Sequence, residues 1–155
     1  MNFKKFYNHN ELYEFYKQNK LEVSLDILKE DGAVLSLIND GDEGVLAAAT
    51  LSKREGYFIL DYVAVSDALR GNGLGKKLVF EMIQNAKNLG ADDVFISAKN
   101  YGFFKAIGFK EGAPKNLDLN KDCKGCSQYL KECKPVVMKI DIWGCFYDER
   151  TIYKA

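Results

Sequence analysis

The sequence lacks an excess of charge of either sign, because 22 Lys and Arg residues balance 22 Asp and Glu residues. A general nucleic-acid binder carries a basic excess, so this balance argues against such a role. The sequence also lacks a long apolar run: none reaches the roughly 20 residues of a membrane-spanning helix, and no apolar stretch of signal-peptide length follows Met1. We therefore expect a cytoplasmic protein that binds neither nucleic acid nor a membrane.

Cysteine and histidine are also scarce, with four cysteines and one histidine, His9, in 155 residues. Four cysteines are too few for a disulfide-rich secreted scaffold. The apolar fraction of 47% is that of a globular protein, and the length fits one domain with its own core. We expect a single domain over residues 1–142, followed by a C-terminal tail, residues 143–155.

Hydrophobic periodicity and turn residues predict an alternation of helices and strands. Asn8 and Glu11 resemble a capping box at the start of a helix that runs to about Asn19. The other predicted helices lie in residues 21–28, 74–89 and 101–107, and the predicted strands are 33–38, 45–51, 57–65, 93–97, one that begins at Phe109, and 136–140. This order predicts an α/β fold in which a mixed sheet carries helices on its faces.

A glycine-rich loop, RGNGLG at residues 70–75, lies between a predicted strand and a predicted helix. Backbone N–H groups at a helix N-terminus have no intrahelical partner and, with the helix dipole, attract anions. Glycines let the backbone approach a phosphate, and Arg70 adds a forked donor. A Walker A loop does not fit, because Arg70 stands where its first Gly is needed. A dinucleotide fingerprint does not fit either, because Lys76 stands at its last Gly position.

What the loop does match is the pattern Arg/Gln-x-x-Gly-x-Gly/Ala of the GNAT superfamily, through Arg70, Gly73 and Gly75. Residues 103–109, FFKAIGF, resemble the helix-to-strand signature of that family, which ends in Gly-Phe. The resemblance, to bacterial-type members, covers residues 1–111 and 136–140. It implies the GNAT fold: a mixed, mostly antiparallel sheet with a splayed parallel pair and helices on both faces. It also implies an acyltransferase that uses acetyl-CoA as cosubstrate.

The resemblance further implies where acetyl-CoA binds. In the family, the strand corresponding to residues 57–65 splays from the next parallel strand, here 93–97, and pantetheine lies in the gap. The pyrophosphate lies on the glycine loop. Seven residues before Phe104, where the family often has Asn, this chain has Ser97. The residues implied in acetyl-CoA binding are Val63, Ala64, Val65, Arg70, Gly71, Asn72, Gly73, Leu74, Gly75, Lys76, Asn100 and Phe104.

Acetyl transfer by direct attack needs a base that removes a proton from the acceptor ammonium. Asp61 is the first choice, because alternation along the strand places it on the face of Ile59 and Val63. The alternative interpretation of Asp61 is an ordinary solvated or ion-paired carboxylate. Glu55 and Glu43 are weaker candidates on nearby turns.

The same reaction needs a donor for the oxyanion and an acid for the departing thiolate. The N–H of Val63 or Val65 fits the first task. Many GNAT enzymes have a Tyr at the position of Phe104, which cannot donate a proton. Tyr101 lies on roughly the same helix face and can replace that hydroxyl, with a packing role at the rim as the alternative. A thiol has a reference pKa of about 8.5, so its thiolate leaves tolerably near neutral pH without an acid.

A cysteine-containing insert, residues 112–134, separates the last two predicted strands and resembles a hairpin found in a subgroup of bacterial GNAT proteins. Cys123 and Cys126 form one C-x-x-C knuckle and Cys133 follows, with no histidine nearby. Common zinc sites have two knuckles or a pair of histidines. Zinc or another thiophilic metal on these three cysteines is therefore left open but not favoured, beside reduced thiols and a disulfide.

Three functions stay open from the sequence. The first is an acetyl-CoA-dependent N-acetyltransferase that acts on a primary amine of a small molecule or a peptide. The second is a non-catalytic acyl-CoA sensor, suggested by Phe104. The third is a metal- or redox-responsive interaction module built on Cys123, Cys126 and Cys133. The fold does not identify the acceptor. The aromatic residues of the tail are suited to cover a partner subunit, so a homodimer is left open.

Overall fold

The computed structural model describes residues 2–29, 33–120 and 135–142. Within these ranges the chain forms a seven-stranded mixed sheet with the strand order β1-β2-β3-β4-β5-β7-β6. The strands are β1 Phe3–Lys5, β2 Ala33–Asn39, β3 Ala47–Arg54, β4 Tyr57–Val65, β5 Asp93–Ala98, β6 Lys110–Glu111 and β7 Val136–Asp141. The helices are α1 His9–Gln18, α2 Leu25–Lys29, α3 Leu74–Asn88 and α4 Tyr101–Ile107, with a short 3₁₀ turn at Asp67–Leu69.

The predicted elements are all present, although some of their bounds differ. Strand β4 and helix α4 have the predicted bounds. Strand β3 begins later than predicted, because Asn39 Oδ1 accepts the N–H groups of Leu46 at 2.7 Å and Ala47 at 3.1 Å and so prolongs the turn. Strand β1 was not predicted, since three residues are too few to show an alternating pattern. It pairs with the end of β2 as an edge strand.

Helices cover both faces of the sheet, as expected from the family resemblance. On one face, here called the α3 face, Leu78 and Met82 of α3 pack against Leu51 and Leu60 of the sheet. On the opposite face, here called the α1–α2 face, the buried residues include Leu12, Tyr16, Leu28, Ile38 and Tyr62. Two separate hydrophobic clusters therefore hold the helices, one on each side of β3 and β4.

The parallel pair of the sheet, β4 and β5, is splayed. Its register contains one pair of Cα partners, Ile59 and Phe95. Beyond that pair β4 continues to Val65, while β5 pairs with β7 along its full length, from Asp93 to Ala98. A gap therefore opens between the C-terminal parts of β4 and β5, as the resemblance implied.

A β-bulge in β4 reverses the alternation of its side chains. Thr50 of β3 is opposite Tyr62, whereas the next residue, Leu51, is opposite Leu60, so Asp61 is the extra residue. Leu60 and Val63 consequently both face α3, although they are three positions apart. The prediction that Asp61 and Val63 share a face is wrong for this reason.

Candidate functional site

The loop between β4 and α3 has the backbone conformation that its glycines allow. Gly71 has a φ of 87° and Gly73 a φ of 74°, in the left-handed region that other residues rarely adopt. A Cβ on either glycine would meet no atom within 4 Å, so the space around the loop is open. Gly73 is the N-cap of α3, and within the described residues no side chain caps this helix. The first amides of α3 can therefore receive an anion.

Arg70 is anchored beside this loop. Its Nη1 lies 2.8 Å from Asp67 Oδ1, and its Nε donates to the carbonyl oxygen of Val65 at 3.1 Å. The side chain is 57% exposed, and the carboxylate of Asp67 is more exposed still. Exposed ion pairs of this kind contribute little stability. The guanidinium can therefore turn from Asp67 to a phosphate at small cost.

Gly75 has a different role from the other two glycines, because it allows α3 and α4 to approach each other. A Cβ at Gly75 would lie 3.3 Å from Cζ of Phe103, which is closer than an ordinary contact. Leu74 packs against the core of the α3 face. Asn72 is exposed in the loop, and Lys76 is half-buried in the first turn of α3. The predicted loop residues thus lie together at the start of α3, with Leu74 and Gly75 packed against the protein and Asn72 exposed to solvent.

Val63 and Val65 lie on the edge of β4 that faces the gap. The N–H of Ser66 donates to the carbonyl oxygen of Leu46 at 2.7 Å, so Ser66 occupies a hydrogen-bonded position of the β3–β4 ladder. In an antiparallel ladder the N–H and C=O groups of one residue point to the same side of the strand, and this side alternates from each residue to the next. The backbone groups of Val63 and Val65 therefore point away from β3 and into the gap, and those of Ala64 point toward β3. The bond from Arg70 to the carbonyl of Val65 agrees with this direction.

Asp61 lies on the α1–α2 face in a partly buried ion pair. Its Oδ1 lies 2.8 Å from Nη2 of Arg54, and its Oδ2 accepts a hydrogen bond from the hydroxyl of Ser52. The Asp61 side chain is 8% exposed. Burial raises the pKa of this carboxyl above its ordinary value, while Arg54 and Ser52 act in the opposite direction. Ser52 and Arg54 were not predicted as partners of Asp61, because the pairing depends on the strand register and the bulge.

Helix α4 contributes Asn100, Tyr101 and Phe104. Asn100 is its N-cap, and Oδ1 of Asn100 accepts the N–H of Phe103 at 3.3 Å. The Phe104 ring packs edge-on against Phe103 and Phe109, with centroid distances of 4.9 and 5.5 Å. Tyr101 is 37% exposed, and its ring lies 5.7 Å from Nζ of Lys105. The predicted contacts of these three residues with acetyl-CoA, and Tyr101 as an acid, stay predictions.

The predicted metal cluster, Cys123, Cys126 and Cys133, lies outside the described residues, as does the tail from residue 143 onward. In the described part of the chain, no group of three or more His, Cys, Asp or Glu side chains is arranged to hold a metal ion. In the same part, no helix is long and apolar enough to cross a membrane. The interpretation of the cysteines therefore stays a prediction.

A glycine loop leads into a helix without a side-chain cap, beside a splayed parallel pair of strands. This arrangement is typical of a site that binds an acyl-CoA. Residues 3–109 match the acetyltransferase (GNAT) family, and the chain belongs to that family. Its class as an acyltransferase is thereby confirmed. No curated protein matches the chain in sequence.

Solved structures share the fold at low sequence identity. A Bacillus subtilis acetyltransferase in complex with CoA is 19% identical with a TM-score of 0.70, covering 90% of this chain and 97% of its own. An IAA acetyltransferase from Bacillus cereus is 15% identical with a TM-score of 0.69, covering 90% and 98%. GCN5 from Tetrahymena is 14% identical with a TM-score of 0.67, covering 92% and 96%. These similarities support the fold and leave the acceptor open.

Proposed function

We propose that this protein is an acetyl-CoA-dependent N-acetyltransferase that moves an acetyl group to a primary amine by direct attack on the thioester. The observation that carries the proposal is the uncapped, glycine-rich start of α3 beside the gap between β4 and β5. The helix start offers donors for a pyrophosphate. The edge of β4 at Val63 and Val65 offers backbone groups for an amide-containing arm. These two parts together match the polar groups of CoA.

The reaction requires one proton transfer before the attack and one after it. The acceptor ammonium loses a proton, and the neutral nitrogen attacks the thioester carbonyl. The new C–N bond forms and the C–S bond breaks. The nitrogen loses a second proton to become the amide, and the departing thiolate takes up one, so the net proton transfer after the attack is from nitrogen to sulfur. An N–H of Val63 or Val65 is aimed into the gap and would donate to the oxyanion.

Asp61 is the proposed base. It lies on the α1–α2 face, opposite the core of α3, so the acceptor amine would approach from the side of α1 and α2. Burial raises its carboxyl pKa, and a base works best when its pKa lies near the working pH. Tyr101 is the proposed acid for the thiolate. If it has that role, Tyr101→Phe lowers kcat and leaves the Kd for CoA unchanged.

The test is calorimetric titration with CoA, followed by detection of free thiol from acetyl-CoA in the presence of an amine panel. The panel contains free amino acids, spermidine, an aminoglycoside and short peptides with free N-termini. We expect micromolar CoA binding and amine-dependent thiol release. A protein that does not bind CoA would contradict the proposal outright. Binding without transfer to any amine would favour an acyl-CoA sensor, the alternative suggested by Phe104 at the position where many GNAT enzymes have a Tyr.

A further inference from the structure

Arg54 forms the exposed end of the ion pair with Asp61. The side chain of Arg54 is 31% exposed, whereas that of Asp61 is 8% exposed. Within the described residues Arg54 bonds to Asp61 alone, and it does so through Nη2 at 2.8 Å. The other two nitrogens of the guanidinium, Nε and Nη1, therefore have donors to offer to an anion that comes from solvent.

This pair lies at the closed end of the gap between β4 and β5. The two strands are joined at Ile59, and the backbone of β4 faces the gap at Val63 and Val65. Asp61 stands between the joined position and the gap. A CoA molecule with its pyrophosphate at the start of α3 and its pantetheine along β4 would bring its thioester toward this end. The Asp61–Arg54 pair is therefore on the side from which the acceptor would approach.

An amine that binds to Asp61 has to compete with Arg54. Both carboxylate oxygens of Asp61 are engaged, Oδ1 by Arg54 and Oδ2 by the hydroxyl of Ser52. A simple amine would take the place of Arg54 on Oδ1 and leave the guanidinium without a partner, and separation of a buried or partly buried pair in this way is costly. Ser52 is 0% exposed and would hold the carboxylate in place while Oδ1 changes its partner.

A zwitterion avoids this cost because it brings a partner for each charge. Its ammonium would pair with the Asp61 carboxylate and its carboxylate with the Arg54 guanidinium, whose planar fork suits a carboxylate. The two charges of the protein are in direct contact, so the two charges of the ligand must also be close together. In an α-amino acid the ammonium and the carboxylate are attached to the same carbon, which meets this requirement.

We propose that the acceptor is a free α-amino acid and that Arg54 binds its carboxylate. The proposal rests on the proposed acetyltransferase function and deepens it, since it names the class of acceptor. The ammonium gives one proton to Asp61, the nitrogen attacks the thioester, and its second proton passes in net terms to sulfur. The products are an N-acetyl amino acid and CoA. Arg54 is thereby a specificity-determining residue, which polyamines and peptide N-termini cannot use in this way.

The experiment compares the free amino acids of proteins with their α-carboxamides as acceptors for the full chain. A carboxamide keeps the amine and the side chain and lacks only the negative charge. A charge-assisted hydrogen bond to Arg54 predicts that kcat/KM is about 10- to 150-fold higher for the best amino acid than for its carboxamide. Intrinsic reactivity favours the carboxamide, because loss of the carboxylate makes the ammonium easier to deprotonate. A preference for the acid therefore reports on the protein.

Arg54→Met should reduce the ratio of kcat/KM between acid and carboxamide to about one, with the Kd for CoA changed less than twofold. Loss of the Arg54 charge raises the pKa of Asp61 for both acceptors alike, so the ratio isolates the contact with the carboxylate. Arg54→Lys keeps the charge and loses the fork, so its ratio should be intermediate.

The matched control is Lys53→Met, which removes the neighbouring cation of β3. Nζ of Lys53 lies 5.1 Å from the ring centroid of Phe58, which belongs to the core of the α3 face. The ratio should therefore stay that of the unmodified protein.

Two results would overturn the inference alone: equal kcat/KM for acids and carboxamides in the unmodified protein, or an undiminished ratio in Arg54→Met. If Arg54→Met does not fold, as shown by loss of CoA binding, Arg54→Lys decides, and an undiminished ratio in that variant overturns the inference. Absence of transfer to any amine by the unmodified protein would overturn the proposed function and this inference with it.

Discussion

Asp61 owes its environment to the single extra residue in β4. Without the bulge, strict alternation would place Asp61 and Val63 on one face, so the Asp61 carboxylate would lie on the same side of the sheet as the Val63 side chain. With the bulge, Asp61 lies beside Ser52 and Arg54 while Val63 stays on the α3 face. The bulge thereby places Val63, whose backbone lines the gap, and Asp61, whose carboxylate is buried, on opposite faces two positions apart.

The substitution Asp61→Asn tests the proposed base. We expect kcat/KM to fall by about 10²–10⁴-fold, the usual contribution of a general base, with the Kd for CoA unchanged. The matched control is Glu55→Gln, an exposed carboxylate in the turn between β3 and β4, and it should retain full activity. Equal activity of Asp61→Asn and the unmodified protein would show that the Asp61–Arg54 pair is structural only.

The dependence of activity on pH gives a second test of Asp61. Only the ionised carboxylate accepts a proton, so activity should fall as the pH drops through the pKa of Asp61. Because burial raises this pKa above the ordinary 3.8, the acid limb of kcat/KM should lie at higher pH than for an exposed aspartate. Ser52→Ala removes a hydrogen bond that lowers the pKa, so it should move the limb further upward. If the acid limb of kcat/KM stays at the same pH in Ser52→Ala, the group that titrates is not Asp61.

The left-handed conformation of Gly73 predicts that Gly73→Ala weakens CoA binding. A Cβ in this conformation costs roughly 1–2 kcal/mol. The free loop can relax to avoid this strain, and the original conformation must then be restored when CoA binds. We expect the Kd for CoA to rise about five- to thirtyfold, measured by calorimetry. Gly41→Ala is the control, because Gly41 has ordinary φ and open space around it. Equal Kd values for the two variants would show that the conformation of the loop does not contribute to CoA binding.

At the scale of elements, β4 is the strand that connects the two helical layers. Its residues Tyr62 and Ala64 belong to the cluster under α1 and α2, and Phe58 and Leu60 belong to the cluster under α3. Tyr62 also reaches the start of α2, because its hydroxyl accepts the N–H of Ser24 at 2.9 Å. This hydrogen bond therefore connects the start of α2 to Tyr62, the residue that follows the bulge.

Tyr62→Phe should loosen α2 without disturbing the ring packing. The Tyr62 ring lies 4.9 Å from the ring of Tyr16, a contact that phenylalanine keeps. Loss of the hydrogen bond to Ser24 should lower the free energy of unfolding by about 1 kcal/mol. It should also speed amide hydrogen exchange in α2. Tyr7→Phe, at a side chain that is 74% exposed, should change neither quantity. Unchanged exchange in α2 would show that Tyr62 does not hold this helix.

The elements that the sequence predicted best are those with long, regular patterns. The run in β4 and the stripe in α3 were recognisable because each repeats one period over many residues. The features that escaped prediction depend on partners distant in the chain. The bulge at Asp61 requires the register with β3, and the contact of Ser97 with Asn120 joins residues 23 positions apart. Local periodicity carries no information on either.

At the scale of the whole molecule, the described sheet consists of two halves, β1 to β4 and β5 to β7, joined by one paired position between β4 and β5. The second connection between the halves is the shared core on the α3 face, in which Leu60 of β4 and Ile96 of β5 both take part. A ligand in the gap would add contacts where the backbone ladder is interrupted. Binding of CoA should therefore stabilise the junction as well as the loop.

Thermal unfolding with and without ligand tests this arrangement. CoA at a concentration of 100 times its Kd should add about 2.7 kcal/mol of stability, which raises Tm by roughly 5–10 °C in a chain of this size. Pantetheine at the same concentration lacks the pyrophosphate and should give a much smaller shift, because it does not engage the start of α3. Hydrogen exchange should slow at Val63 and Val65 with CoA. Equal shifts for CoA and pantetheine would mean that the glycine loop contributes nothing, and a CoA shift without protection of β4 would place the ligand outside the gap.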